Sequence, residues 1–360
     1  EQTPGISLTP SEKLQIARKL DEIGVNTIEA GSAITSQGER EAIRGITHEG
    51  LNAKIASFAR TLTQDIDYCI DCDVDMVNIV VPTSSLHMEY KLKKSPEEVL
   101  AISNNVTEYA VDHGLKVMLS AEDSTRSDMD FLKQIFKGAI EAGAHGICPC
   151  DTVSMLTPDK SKNFFAELSK LGVPVSTHCH NDFGLATANT IFGVMGGAKE
   201  IHVTVNGIGE RAGNASLEEL VMALKLLYGK DLGFKIKIIK ELSELVSNAT
   251  GLDVPYNKPV VGKNIFRHES GIHVDAVIEE PLTYEPYLPE LVGQKRQLVL
   301  GKHSGCRAVK AKLDDCGYSV TKDQLCKIVK KVKEKREEGQ YINDDVFKDI
   351  IRDIDKPFEL

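Results

Sequence analysis

The sequence lacks any long apolar run, any basic cluster and any recognisable export signal. No hydrophobic stretch approaches the roughly 18 residues of a membrane-spanning helix, and no signal peptide opens the chain. Lysine and arginine are dispersed through a chain of net charge −10, so the sequence has no clustered positive charge of the kind that binds a nucleic-acid backbone. We therefore expect a cytoplasmic protein with no membrane or nucleic-acid partner.

The eight cysteines do not form the pattern of a structural zinc site or of a disulfide scaffold. Cys69 and Cys72 make a C-x-x-C pair in a helical stretch, but no second pair follows at zinc-ribbon spacing. Cys148 and Cys150 lie in a β-like run. We interpret Cys69 and Cys72 as core thiols and expect a protein from a reducing compartment.

The sequence does contain a regular alternation of β-like runs and amphipathic helical stretches. Strands that alternate with helices predict a parallel sheet. The β-like runs lie near 25–31, 53–59, 75–82, 115–122, 144–151, 173–180 and 200–207.

These seven runs are one fewer than a parallel (β/α)8 barrel needs to close. The chain opens in a loop that leads into a helix capped near Thr9 or Ser11, with Glu12 in the first turn. Because the missing strand should precede this helix, we expect it before residue 1. We predict an α/β fold, a (β/α)8 TIM barrel, with an open doubly wound sheet as the alternative.

The length of 360 residues exceeds the usual size of a single domain by roughly a hundred residues. A smaller appendage should therefore follow the barrel. We predict a catalytic barrel domain over 1–230, a linker or small subdomain over 231–275 and a C-terminal helical subdomain over 276–360.

Polar side chains end the predicted strands, where a parallel barrel has its active site. His178 and His180 are one residue apart, so in a strand both imidazoles point to the same side, a spacing typical of metal ligands. A pair of surface histidines is the alternative. The residues at the predicted strand ends are Glu29, Arg60, Thr83, Glu122 with Asp123, Asp151 with Thr152, His178 with His180, and Asn206.

The loop "NGIGERAGN", 206–214, contains a G-x-G pattern before a helix that begins near Ser216. A dinucleotide-binding fingerprint is excluded, because the pattern follows the last strand of the sheet and no acidic residue ends a next strand. A glycine-rich turn here lets the backbone approach a phosphate or a metal-bound ligand closely. A plain tight turn is the alternative.

Longer motifs carry a resemblance that covers nearly the whole chain. They are "IEAGSA", "SAEDSTR", "HCHNDFGLATAN", "NGIGERAGN" and "HESGIHVDAV". With them the chain resembles the acyltransferase branch of the metal-dependent pyruvate-carboxylase-like barrels, which comprises homocitrate, isopropylmalate and citramalate synthases. In that family the first strand ends in an arginine and an acidic metal ligand, and this sequence begins after both.

The resemblance implies a condensation of acetyl-CoA with a 2-oxo acid on a divalent metal ion, with Mg, Mn, Zn and Fe all compatible with nitrogen and oxygen ligands. His178 and His180 match the family's histidine ligands, and Asn214 matches an asparagine near the metal. Thr152 matches a threonine that binds the 2-oxo acid carboxylate.

Three further residues match the family's proton-transfer groups. His273 matches the candidate base, Glu122 its carboxylate partner and Tyr284 a tyrosine that aids the reaction. Taken alone, His273 also fits a helix-start histidine, and Tyr284 is better explained as a packed loop aromatic. In the resembling enzymes this C-terminal region reaches the barrel of a neighbouring subunit, which implies a homodimer with composite active sites.

The 2-oxo acid is the least defined part of the prediction. The chain looks most like homocitrate synthases of methanogenic archaea, because it stops at Leu360 without the regulatory domain of isopropylmalate and many citramalate synthases. Lysine-pathway homocitrate synthases place an arginine where this chain has Met118, four residues before Glu122. An apolar side chain there suits a branched aliphatic acid, or leaves room for a longer diacid whose far carboxylate binds elsewhere, as at Arg60.

We therefore expect 2-oxoglutarate and its longer homologues as acceptors, with Arg60, Thr83, Met118 and Thr152 as the substrate-binding residues. Synthesis of 2-isopropylmalate or citramalate is the alternative. A metal-dependent acyl-CoA lyase or aldolase and a non-enzymatic binding protein are more remote alternatives.

Overall fold

Seven parallel strands form the sheet on which the first part of the molecule is built. The computed structural model describes residues 2–355, and the chain divides into two compact units, Glu1–Val254 and Pro255–Leu360. In the first unit the strands lie side by side in their order along the chain. They are β1 Thr27–Gly31, β2 Lys54–Arg60, β3 Met76–Pro82, β4 Lys116–Glu122, β5 Gly146–Asp151, β6 Ser176–Cys179 and β7 Glu200–Ile201.

This sequential order distinguishes the barrel topology from a doubly wound sheet. A doubly wound sheet reverses its strand order near the middle, whereas each strand here pairs with its predecessor. The sheet also curls, as a parallel sheet of sequentially ordered strands does in a (β/α)8 barrel. The predicted α/β barrel class is confirmed and the doubly wound alternative is wrong. The strand expected before residue 1 falls outside the described residues.

Helices connect the strands of the first unit. Thr9 and Ser95 begin two of them with capping boxes, in which the hydroxyl accepts from the backbone N–H of a glutamate whose carboxylate accepts from the cap N–H. The cap predicted near Thr9 is thus confirmed. The helices are α1 Pro10–Ile23, α2 Gln37–Thr47, α3 Thr63–Asp71, α4 Ser85–His87, α5 Pro96–Asp112, α6 Met129–Glu141, α7 Pro158–Leu168, α8 Ala186–Met195, α9 Leu217–Leu227 and α10 Ile239–Thr250.

The main core lies between the sheet and these helices. Leu119 of β4, Phe136 of α6 and Phe165 of α7 are fully buried there. Cys69 and Cys72 are also fully buried, as free thiols. The prediction of core thiols is confirmed for this pair.

No helix within residues 2–355 has the length and apolar content to cross a bilayer.

The last strand is shorter than the sequence predicted. β7 ends at Ile201, although the His202 N–H still donates to the Thr177 carbonyl at 2.8 Å. Thr204 then pairs with Ser216 instead of continuing along β6. The returning loop thus replaces β6 as the hydrogen-bond partner, which ends the strand early.

The second unit contains a small parallel sheet and four helices among the described residues. Its core is apolar, with Val309, Phe347 and Ile350 fully buried. The elements are α11 Gly271–Glu279, α12 Cys306–Asp315, α13 Lys322–Glu337, α14 Asp344–Asp355, β8 Arg267–His268 and β9 Gln297–Leu298. The two compact units divide the chain once, after Val254. The finer sequence-based division after residues 230 and 275 stays a prediction.

We predict that Leu119→Ala lowers the free energy of unfolding by about 2–5 kcal/mol, because it leaves a cavity in the core. Leu227→Ala is the matched control: Leu227 is 79% exposed, so its truncation should change the unfolding free energy by less than about 0.5 kcal/mol. Urea unfolding followed by circular dichroism measures both variants. Equal losses in the two would contradict the packing described.

Candidate active site and metal centre

His178 and His180 converge at the carboxyl end of β6. The strand pairs Cys150 of β5 with His178, which places both imidazoles beside the end of β5. Their Nε2 atoms are 3.3 Å apart. Two nitrogens that bind one divalent ion as neighbouring ligands lie about 3 Å apart, given metal–nitrogen distances of about 2.0–2.1 Å. The pair therefore fits two ligands of a single ion.

Both imidazoles are in the protonation state that a metal needs. Desolvation lowers the pKa of His178 well below its ordinary value, and the nearby His202 and His180 lower it further. Desolvation also lowers the pKa of His180, assisted by the positive charge of Arg211. Because metals bind the neutral ring, these side chains are ready to ligate at neutral pH.

His202 is a part-buried neighbour of this pair that the sequence pattern did not single out. Its Nδ1 lies 3.3 Å from the Nδ1 of His178 and 3.8 Å from the Sγ of Cys148. The two imidazole rings meet edge to face, with centroids 5.5 Å apart. No spacing rule marks a lone histidine in "EIHVTVNG", and only its inward direction at the end of β7 could have suggested a role.

Asn214 lies beside His180 because the loop 206–214 folds back onto β6. The two residues form an antiparallel bridge, and the Asn214 N–H donates to the Gly207 carbonyl at 3.1 Å. Gly213 has φ 84°, and a Cβ there would overlap the Gly207 carbonyl oxygen. At Gly209 a Cβ would overlap the side-chain oxygen of Asn214. The glycines of the motif therefore allow the close approach of Asn214.

Arg211 of the same loop ties three loops together. Its Nε donates to Asp182 at 2.9 Å and its Nη2 to the Thr152 carbonyl at 2.5 Å. The Arg211 guanidinium lowers the pKa of Asp182 to about 2. Arg211 itself has φ 53°, a backbone conformation that is unfavourable outside glycine. The loops after β5, β6 and β7 are thereby fixed relative to one another.

Among the described residues, two histidines and the adjacent asparagine are the candidate metal ligands. No group of three or more histidine, cysteine, aspartate or glutamate side chains within residues 2–355 is arranged to hold a metal ion. The Nδ1 of His180 is buried without a hydrogen-bond partner in the described part of the chain.

Glu122 ends β4 beside a lysine and a histidine. Lys91 Nζ donates to both carboxylate oxygens at 2.7 Å, and His87 Nδ1 lies 3.5 Å from Oε1. Lys91 is carried by a π-helix, Met88–Leu92, which follows α4 and ends at Lys93 with φ 55°. No sequence pattern predicted this segment, and π turns are frequent at functional sites.

Thr152 and Thr83 have different surroundings at neighbouring strand ends. The Thr152 Oγ1 accepts from the Asp123 N–H at 2.8 Å, so its own hydrogen is the one it can offer to a ligand. Thr83 is buried, and its Oγ1 donates to the Glu122 carbonyl at 3.1 Å and contacts the Ser127 Oγ at 2.7 Å. The Thr83 hydroxyl thus links strand ends, whereas the Thr152 hydroxyl accepts from the backbone of the neighbouring strand end.

Arg60 and Met118 each contact side chains outside this group. The Arg60 guanidinium makes a two-point ion pair with Asp65 through Nε and Nη2, at 2.8 and 2.9 Å. Met118 is buried, packs with Cys148 and Cys150 and accepts a hydrogen bond from another strand. Met118 precedes Glu122 by four residues on β4, which corresponds to about 13 Å along the strand.

His273 and Tyr284 are neighbours within the second unit. Their ring centroids are 4.1 Å apart with a tilt of 30°. Tyr284 is 46% exposed and His273 is also exposed. The structure thus brings together the two C-terminal residues that the sequence singled out, and it presents them to solvent.

Comparison with known proteins identifies the family. The model of the HMGL-like family matches residues 1–246, and that of the homocitrate synthase post-HMGL domain-like family matches 260–340. The chain belongs to the HMGL-like family. Homocitrate synthase AksA of Methanothermobacter thermautotrophicus is 54% identical over 100% of this chain and 92% of that protein. This HMGL-like chain is accordingly an enzyme of the acyltransferase type.

Other relatives of this HMGL-like chain carry different names. (R)-citramalate synthase CimA of Methanocaldococcus jannaschii is 57% identical over 98% of the chain and 72% of that protein. A probable 2-isopropylmalate synthase of Methanopyrus kandleri is 52% identical over 98% of the chain and 71% of that protein. The hydroxymethylglutaryl-CoA lyase structure from Pseudomonas aeruginosa has a TM-score of 0.63 at 17% identity, covering 71% of this chain and 93% of that one, a likeness of fold.

We predict that the metal-free protein loses stability as the pH falls below about 6.5, the ordinary histidine pKa. The folded-state pKa values of His178, His180 and His202 are lowered, so the unfolded chain binds more protons in acid. Below pH 6.5 the free energy of unfolding should then fall, by up to about 1.4 kcal/mol per pH unit for each such histidine.

Urea unfolding between pH 7.5 and 5.5, in the presence of a chelator, measures this slope. His178→Leu should flatten it, whereas His145→Asn, at an exposed histidine, should leave it unchanged. A slope that is the same in all three proteins would show that the inward-facing imidazoles do not titrate in this way.

Proposed function

We propose that this protein condenses acetyl-CoA with a 2-oxo acid in a metal-dependent reaction that releases coenzyme A. The observation that carries the proposal is the convergence of the His178 and His180 Nε2 atoms, 3.3 Å apart. Membership of the HMGL-like family, and relatives named homocitrate, citramalate and isopropylmalate synthases, support it. A bound divalent ion would act as a Lewis acid that polarises the 2-oxo group.

The strand ends supply groups that bind and orient the 2-oxo acid. His178, His180 and Asn214 are the side chains that would hold the ion. Thr152 offers its hydroxyl hydrogen to the acid's carboxylate, and the bond from the Asp123 N–H fixes the direction in which it points. Arg211 holds the backbone of Thr152 in place. The acceptor is thereby positioned before the acetyl group reacts.

His273 is our candidate for the base that removes a methyl proton from acetyl-CoA. The stacked ring of Tyr284 restricts its orientation. The resulting carbon nucleophile attacks the 2-oxo carbon, the oxo oxygen takes up a proton, and water then cleaves the thioester to release the thiol. Glu122, anchored by Lys91, is the carboxylate that would stabilise the imidazolium form of His273.

We propose 2-oxoglutarate as the first acceptor, with homocitrate as the product. Support comes from the relative named homocitrate synthase, which aligns over 100% of this chain and 92% of its own length. A diacid needs a cation for its second carboxylate. Arg60 is the candidate, because its side chain is 54% exposed and its pairing with Asp65 uses Nε and Nη2, leaving Nη1.

An acceptor without a second carboxylate, such as pyruvate or 2-oxoisovalerate, is the second candidate, favoured by one observation. Ser120 lies two residues before Glu122 on the same face of β4 and donates to Asn78 at 2.5 Å. Asn78 in turn donates to the Glu29 carboxylate at 2.9 Å. An acceptor whose side chain points down this face approaches a negative charge, which disfavours a second carboxylate.

We predict that 2-oxoglutarate gives a higher kcat/KM than pyruvate or 2-oxoisovalerate when release of the coenzyme A thiol is measured. Arg60→Ala should lower kcat/KM for 2-oxoglutarate by about tenfold or more, a loss of about 1.4 kcal/mol of transition-state binding. Its kcat/KM for pyruvate should change by less than about twofold, because pyruvate has no second carboxylate.

Arg18→Ala is the matched control. Arg18 is also an arginine with a 54% exposed side chain in an ion pair with a carboxylate, but it lies on α1, away from the strand ends. This variant should leave kcat/KM for both 2-oxoglutarate and pyruvate unchanged. A preference of tenfold or more for pyruvate or 2-oxoisovalerate would overturn 2-oxoglutarate as the acceptor and leave the condensation itself standing.

We also propose that the active protein is a homodimer in which the second unit of one chain completes the barrel site of the other. The exposed pair His273 and Tyr284 lies beside exposed apolar residues, Ile272 at 76% and Leu282 at 59%. Apolar groups clustered beside proposed catalytic side chains are typical of a surface that a partner covers.

We predict that two inactive variants, Glu122→Gln and His273→Gln, recover activity when their subunits are mixed. Each mixed dimer has one site with both residues intact, so random exchange should restore roughly a quarter of the wild-type rate. Co-expression with two purification tags isolates the mixed dimer, and its mass in solution checks the stoichiometry. Absence of any recovery in a confirmed mixed dimer would rule out shared sites.

A further inference from the structure

We propose that His202 is a positioning residue that holds the proposed metal ligand His178 in one tautomer and one orientation. The inference rests on the proposed function, because it concerns the same metal site, and it assigns a role to a residue that the reaction itself leaves unused. The observation behind it is the 3.3 Å approach of the two Nδ1 atoms.

The backbone fixes His202 where this contact can form. Its N–H donates to the Thr177 carbonyl at 2.8 Å, which pins the end of β7 against β6 one residue before His178. The imidazole meets that of His178 edge to face, at an interplanar angle of 84°. The contact therefore follows from the pairing of two adjacent strands.

Counting protons gives the direction of the hydrogen bond. A neutral imidazole carries one N–H. The Nε2 of His178 faces the Nε2 of His180, and it must present its lone pair there to ligate an ion. The hydrogen of His178 then lies on Nδ1 and is donated to the Nδ1 of His202, which in turn keeps its own hydrogen on Nε2. Such partners commonly set the orientation of histidine ligands.

The two proposed ligands differ in whether a side chain contacts their Nδ1. Within the described chain the Nδ1 of His180 is buried without a partner, so a side-chain contact of this kind is made at His178. The Cys148 Sγ also lies near the His202 Nδ1, at 3.8 Å. A thiol is a weak donor at that distance, and Cys148 therefore provides the control.

The test is the divalent-ion affinity of the purified apoprotein, measured by competition with a chromophoric chelator for Zn²⁺ and for Co²⁺. In His202→Asn the amide oxygen takes the place of Nδ1 as acceptor, and the affinity should stay within about threefold of the wild type. His202→Gln moves the amide to the Nε2 position and His202→Leu removes it, so both should weaken binding by about 10–100-fold. Cys148→Ala should stay within about threefold.

Wild-type affinity in His202→Leu or His202→Gln, or a loss in His202→Asn as large as theirs, would overturn the role. A loss in Cys148→Ala as large as in His202→Leu would assign the effect to general packing and overturn it as well. Circular dichroism of each apoprotein shows which variants are folded. If His202→Leu does not fold, the comparison of His202→Asn with His202→Gln decides.

A second readout requires neither metal nor activity. Nitrogen NMR of ¹⁵N-histidine-labelled apoprotein reports which ring nitrogen of His178 is protonated. We expect the hydrogen on Nδ1 in the wild type and in His202→Asn, and a mixture of tautomers in His202→Gln. A wild-type His178 protonated on Nε2 would overturn the inference. A wild type that binds no divalent ion but shows the expected tautomer would instead count against the proposed function alone.

Discussion

The parallel pairing of β5, β6 and β7 is the constraint on which the site depends. It places three imidazoles, of His178, His180 and His202, on the inner side of a curled sheet, where desolvation keeps all three neutral. Neutral rings that face one another at 3.3 Å are suited to binding a metal cation and unsuited to taking up a second proton. The same strand order that forms the barrel therefore prepares the metal centre.

Around this centre, two positively charged side chains hold the loops and strand ends in place. Arg211 connects the loops after β5, β6 and β7, and Lys91 anchors Glu122 from a π-helix. In both cases a positively charged side chain holds a residue that would bind substrate or transfer protons, and thereby fixes its orientation. The exposed pair of His273 and Tyr284 belongs to a separate compact unit, in keeping with the proposed sharing of sites between subunits.

The sequence predicted what depends on short-range periodicity. The i, i+2 spacing of His178 and His180 identified their shared direction, the Thr9 and Glu12 pattern located a helix start, and alternation of strands and helices indicated the barrel. It did not predict contacts that depend on three-dimensional proximity. His202 has no spacing signal, Lys91 reaches Glu122 through a π turn with no sequence signature, and the pairing of Arg60 with Asp65 depends on the start of α3.

The most direct test of the central claim, that His178 and His180 bind one divalent ion, is X-ray absorption at the metal edge of protein loaded with one equivalent of Zn²⁺. We predict a first shell that contains two imidazole nitrogens at about 2.0–2.1 Å and that loses both in the His178→Ala, His180→Ala double variant. A first shell without imidazole, or an unchanged spectrum in the double variant, would contradict the claim.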